Sequence, residues 1–167
     1  MFKKHSSHAL RAAVCAALAA LSCALPAAAQ QKSVAVTSIV EHPALDAVRD
    51  GVKEALQKAG LEDGKTLRWQ YQTAQGNAGT AGQIARKFVG DQPDVIVAIS
   101  TPSAQALLAT TKNIPIVFSA VTDPVAGQLT PSWDASGTNV TGVSNALDLT
   151  KQAEMIRRIL PLSLIHI

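Results

Sequence analysis

The chain has 167 residues, of which 47% are hydrophobic, 16% charged and 4% aromatic, with a formal net charge of +3. That length suits a leader and one compact domain, and no apolar run after residue 30 is long enough for a membrane-spanning helix. Lys3, Lys4 and Arg11 account for the whole net charge, so the remainder is close to neutral and carries no basic footprint for nucleic acid.

Those three bases open a recognisable export signal. Ala12 to Leu25 is an uncharged, Ala/Leu-rich run too short to span a bilayer, and Ala27-Ala28-Ala29 forms an A-x-A cleavage site before Gln30. Residues 1–29 are therefore expected to be a signal peptide, cleaved after Ala29. Both cysteines, Cys15 and Cys23, lie inside this leader, so the exported part has no thiol for a disulfide, a zinc site or nucleophilic catalysis. Ala20-Leu21-Ser22-Cys23 is similar to a lipoprotein site with its apolar residue one place late. Cleavage at Ala29 is expected in preference to lipid anchoring at Cys23.

Beyond the leader, two kinds of segment alternate. Ser33 to Ile39 is a β-branched run that predicts a buried strand. His42-Pro43 opens a helix in which Leu45, Val48, Val52, Leu56 and Ala59 recur at three- and four-residue steps, with Gly60 as the stop. Thr66 to Gln72 alternates like an outer strand, Gly79 to Val89 reads as a second helix, and Val95 to Ile99 is the most apolar strand. A third helix is predicted from Pro102-Ser103, a fourth strand from Ile114 to Val121, a fifth from Asn139 to Val143 and a last helix from Leu147 to Leu160. This alternation predicts an α/β lobe of three layers, a parallel sheet of order 2-1-3-4-5 with helices on both faces. Pro161 ends the last helix. Leu162 to Ile167 (LSLIHI) is an apolar tail without turn or polar cap, expected to be the anomalous end of a truncated chain or else an edge strand.

In such a sheet, ligands bind beyond the carboxyl ends of the strands. Three loops meet there: Val40-Glu41-His42, Ser100-Thr101-Pro102-Ser103, and Ser119 through Pro124. Ser100, Thr101 and Ser103 at a helix start suit a carboxylate, and they equally suit a plain N-cap. Glu41 and Asp123 are acids able to pair with an ammonium group, or else a solvated loop acid and a turn acceptor before Pro124. Ser119, Thr122 and Ser144 are further candidates on the same rim. His42 reads as a capping or packing residue, and Trp69 and Tyr71 as packing on an outer strand. No G-x-S-x-G elbow, G-x-x-x-x-G-K-[ST] phosphate loop or H-E-x-x-H pair occurs, so no catalytic, metal or cofactor site is expected.

The phrases SIVEHPALDAVRDGVKEAL, VIVAISTPSAQAL, IPIVFSAVTDPVAGQL and NVTGVS follow one another in order. Together they resemble the ABC-transporter substrate-binding proteins of the tryptophan/tyrosine type, from Lys32 to about Pro161. The resemblance implies a type I periplasmic-binding-protein fold, two α/β lobes closing on a ligand, with residues 30–161 as the first lobe and the second missing. It implies a periplasmic receptor that binds a small-molecule solute, an amino acid with aromatics favoured, and delivers it to an inner-membrane ABC permease with its ATPase. Glu41, Ser100, Thr101, Ser103, Ser119, Thr122, Asp123 and Ser144 are the expected ligand contacts. The competing readings are an exported sensor domain for a small ligand, and an exported hydrolase using Ser103 or Asp123.

Overall fold

A computed structural model describes residues 31–134 and 137–159. The expected leader, with Cys23 and the Ala29 cleavage point, and the expected tail at 162–167 lie outside the described residues. Five strands, β1 (Lys32–Ser38), β2 (Leu67–Thr73), β3 (Val95–Ile99), β4 (Ile116–Val121) and β5 (Val140–Ser144), form one sheet in the order β2-β1-β3-β4-β5, with every pairing parallel. The predicted topology is the observed one. Among the described residues four helices complete it: α1 (Pro43–Lys58), α2 (Ala78–Asp91), α3 (Thr101–Leu108) and α4 (Leu149–Ile159).

Period-two alternation along the strands divides the core between the two faces of the sheet. Val34 and Val36 of β1 join Val97 and Ile99 of β3 beneath α1, which contributes Leu45, Val48, Val52 and Leu56. Ala35 and Ala98 point the other way, where α2 and α3 pack. Small side chains on both sides of that second interface, Ala35 and Ala98 facing Ala81, Ala85 and Ala104, let the helices approach the sheet closely, and Phe88 fills the space left between them. Phe88, Ile96 and Leu107 are fully buried, each contributing about 1.5–3 kcal/mol by leaving water.

The expected start and stop of α1 act where the sequence put them, and α2 has a cap of its own. His42 caps α1 by accepting the Ala44 amide on Nδ1 at 3.2 Å, and Gly60 (φ 84°) takes the chain out of that helix in a conformation few side chains tolerate. Asn77 caps α2 through the Thr80 amide at 3.0 Å. Trp69 and Tyr71 pack in the α1 layer, with Lys53 and Arg49 over their rings at 5.6 and 4.9 Å.

Some boundaries differ from expectation for identifiable reasons. β4 begins at Ile116 rather than Ile114, because Pro115 has no N–H for the ladder and the Ile114 carbonyl is taken by the Asn139 side-chain amide at 2.7 Å. The last helix begins at Leu149 rather than Leu147, because Asp148 caps it through the Lys151 amide at 3.1 Å. Leu149, Met155, Ile156 and Ile159 of this helix are all exposed.

Candidate functional site

Because all five strands run parallel, the loops after β1, β3, β4 and β5 leave the sheet at one edge, and the expected ligand residues sit on these loops or on the strands and helix that they join. β3 and β4 lie at the centre of this edge. The Ser100 amide donates to the Ser119 carbonyl at 2.9 Å, tying the start of α3 to the end of β4. Two unusual backbone conformations flank that bond, Ser100 at φ 87° and Ala120 at φ 55°, both in the region that disfavours a side chain. Ala120 belongs to a β-bulge: between the pairs Phe118–Gly142 and Val121–Ser144, β4 has one more residue than β5. The bulge bends the chain that carries Thr122 and Asp123.

Ser100 occupies the N-cap position of α3, yet its side chain makes no capping bond. The first helical bond runs from the Ala104 amide to the Ser100 carbonyl at 3.2 Å, and Pro102 brings no N–H. The Thr101 and Ser103 amides at this helix end therefore have no side-chain cap, which leaves a partial positive charge at the centre of the strand edge. Ser103 itself is turned inward. It is 1% exposed, and its hydroxyl lies 3.4 Å from that of Ser100, which is also buried.

Asp123 is exposed and begins the turn after β4. Its Oδ1 accepts the Val125 and Ala126 amides, both at 2.9 Å, so one carboxylate oxygen orders the turn. The Ser144 hydroxyl donates to the Thr122 carbonyl at 2.8 Å and accepts the Ala146 amide at 3.0 Å, closing the rim between β4 and β5. Glu41 stands exposed on the loop after β1; among the described residues no hydrogen bond or ion pair engages it. The structure thus joins Ser100, Ser103 and Ser119 in one group, with Thr101 beside them as the first residue of α3, and Thr122, Asp123 and Ser144 in another, while Glu41 stands apart on the loop after β1.

Two residues outside the expected set connect these groups. Gln105 Nε2 donates to the Gly127 carbonyl at 2.9 Å, fastening α3 to the turn that Asp123 opens. The glycine closing the Pro124-to-Gly127 turn was the only local hint of that contact. A hollow of about 190 Å³ lies behind the rim, between β5 and the loop carrying Trp133, with Phe118, Thr141 and Gly142 in its wall. Among the described residues no group of His, Cys, Asp and Glu is placed to hold a metal ion.

The likeness to known proteins covers the same ground. The family described as ABC transporter substrate binding protein matches residues 33–164. A tyrosine-binding protein of Clostridioides difficile (strain R20291) is 43% identical over 132 residues, which is 79% of this chain and 38% of that protein. Among solved structures, a conserved domain protein of Vibrio cholerae is 53% identical with a TM-score of 0.78, over 79% of this chain and 45% of the other. A ligand-free, open substrate-binding protein with adhesive properties from Clostridium difficile is 45% identical, with a TM-score of 0.72 over 78% and 44%. An ABC domain in complex with L-Trp from Streptococcus pneumonia is 30% identical, with a TM-score of 0.75 over 79% and 44%. The chain spans less than half the length of each of these relatives. With the five-stranded parallel sheet and the loops at its carboxyl edge, the match over residues 33–164 means that the chain belongs to the ABC transporter substrate-binding protein family.

Proposed function

We propose that the chain forms one wall of the ligand crevice in an exported receptor that binds an amino acid, aromatic side chains favoured, for an ABC importer. The observation that carries this reading is the uncapped start of α3 beside the Asp123 turn, in a chain 43% identical to a tyrosine-binding protein. An α-amino acid presents a carboxylate and an ammonium group on a single carbon. The Thr101 and Ser103 amides, with the Ser100 and Thr101 hydroxyls, supply donors to the carboxylate. The Asp123 oxygen not used by its own turn and the Glu41 carboxylate supply acceptors to the ammonium. Ser119, Thr122 and Ser144 shape the rim, Ser144 by holding the Thr122 carbonyl.

Binding without conversion is the better reading of this site. Ser103 is buried, and His42, the histidine nearest in the loops, has its Nδ1 committed to the Ala44 amide. In this reading the export signal expected at residues 1–29 sends the receptor to the periplasm, where a second wall closing over the ligand would exclude water and strengthen each charged contact. The partners in this reading are the solute and an inner-membrane permease with its ATPase.

Titration of the chain with L-tyrosine and L-tryptophan, followed by NMR amide shifts, tests the reading even where one wall binds weakly. Saturable shifts at Thr101, Ser103 and Asp123 with either amino acid are expected, without turnover. Saturable shifts confined to other loops, or none with any amino acid, would overturn it.

A further inference from the structure

We propose that Gly127 is the spacing residue of the crevice: by lacking a Cβ it sets the separation between the carboxylate-binding start of α3 and the ammonium-binding turn of Asp123. This rests on the amino-acid reading above. A Cβ at position 127 would lie 3.0 Å from the Asp123 carbonyl oxygen and 3.0 Å from Thr101 Cγ2. One missing atom therefore separates residues assigned to the two charged groups of the ligand. Both contacts are tighter than ordinary van der Waals packing, so an added methyl group has to push at least one neighbour aside.

Gly127 is not among the residues at positive φ, so the backbone there does not require a glycine. What the position uses is the absence of a side chain. Its surroundings leave little freedom to absorb one. The Gly127 amide donates to the Asp123 carbonyl at 2.9 Å, and its own carbonyl accepts from Gln105 Nε2 on α3 at 2.9 Å. Asp123 in turn holds the Val125 and Ala126 amides. Turn and helix are thus pinned to each other through residue 127, and displacement there moves the Asp123 turn relative to Thr101.

The consequence is selective. A ligand that engages both ends depends on their separation, whereas a ligand with only one charged end does not. Gly127→Ala is expected to weaken L-tyrosine binding by about tenfold, while tyramine, which lacks the carboxylate, and 3-(4-hydroxyphenyl)propionate, which lacks the ammonium, change by no more than about twofold. Adding Thr101→Ser to Gly127→Ala removes the Cγ2 methyl and keeps the hydroxyl, so it restores part of the loss.

The test is NMR titration of the chain, of Gly127→Ala and of the double variant with the three ligands, together with amide shifts of Thr101 and Val125 before any ligand is added. The proposal expects those shifts to move in Gly127→Ala and to return toward the original values in the double variant. An equal loss for all three ligands would make Gly127 a packing residue only, and unmoved shifts in the unliganded variant would also overturn the proposal. If the unaltered chain binds none of the three, the amino-acid reading fails instead, and the unliganded shifts still decide whether Gly127 sets the spacing.

Discussion

Gly142 of β5 lies directly against Phe118 of β4: a Cβ at position 142 would come within 2.5 Å of Phe118 Cγ and meet the Phe118 carbonyl oxygen as well. The two residues are paired in register immediately before the bulge that bends β4 toward the rim. The Phe118 ring occupies space that any other residue at 142 would need.

Gly142→Ala is therefore expected to destabilise the chain by about 1–3 kcal/mol, because backbone as well as ring has to shift. Urea unfolding followed by circular dichroism measures this. A midpoint equal to that of the unaltered chain would mean that β5 moves away without cost.

Phe88 of α2 is fully buried in the core cluster that includes Ala35, Ala85 and Ile96, so truncating it leaves a cavity. Phe88→Ala should cost about 3–5 kcal/mol, more than the same truncation at half-exposed Trp69. Unfolding midpoints of the two variants compare them directly; equal losses would contradict the layer assignment.

Asp94 precedes β3 and accepts the Ser33 amide at 2.7 Å and the Ser33 hydroxyl at 2.9 Å, with Lys32 Nζ at 4.0 Å. These bonds hold its carboxyl below the ordinary carboxylate value, the Ser33 amide contributing most. A pKa depressed in the folded state adds stability that is present above the unfolded value, about 3.9, and is lost as the pH falls through the folded value. Asp94→Asn should therefore lower the melting temperature at pH 7, with the difference shrinking as the pH drops below 4. A difference independent of pH would show that the charge plays no part in holding β1 to β3.

Asp123 has two tasks in the proposed site, and two variants separate them. Asp123→Asn keeps an oxygen for the Val125 and Ala126 amides and removes the charge, so amino-acid affinity should fall about tenfold or more with the melting temperature nearly unchanged. Asp123→Ala removes the turn bonds too and should also lower stability by about 1 kcal/mol. Unchanged affinity in both variants would take Asp123 out of the site.

Much of this architecture was legible in the residues themselves. The β-branched runs of β1 and β3, the three- and four-residue apolar steps of α1, and the punctuation by Pro43 and Gly60 are short-range signals. Each depends on neighbours within one or two turns of chain, and together they determined the element order and the parallel sheet of order β2-β1-β3-β4-β5. The same local reading brought the hydroxyl and acidic residues to the carboxyl edge.

How those residues are used was decided by contacts between distant segments. Ser103 carries the same local signal as Thr101, but packing of α3 on the sheet turns it into the core. One oxygen of Asp123 and the hydroxyl of Ser144 are committed to backbone groups of the rim, and Ser100 is drawn to φ 87° at a residue bonded to Ser119. Gly127 takes its place only from the fold, which sets it against Thr101 and Asp123. A sequence specifies what each side chain can donate, accept or bury. Which partner it meets depends on the register and packing of strands and helices far apart in the chain, and only the assembled lobe fixes those together.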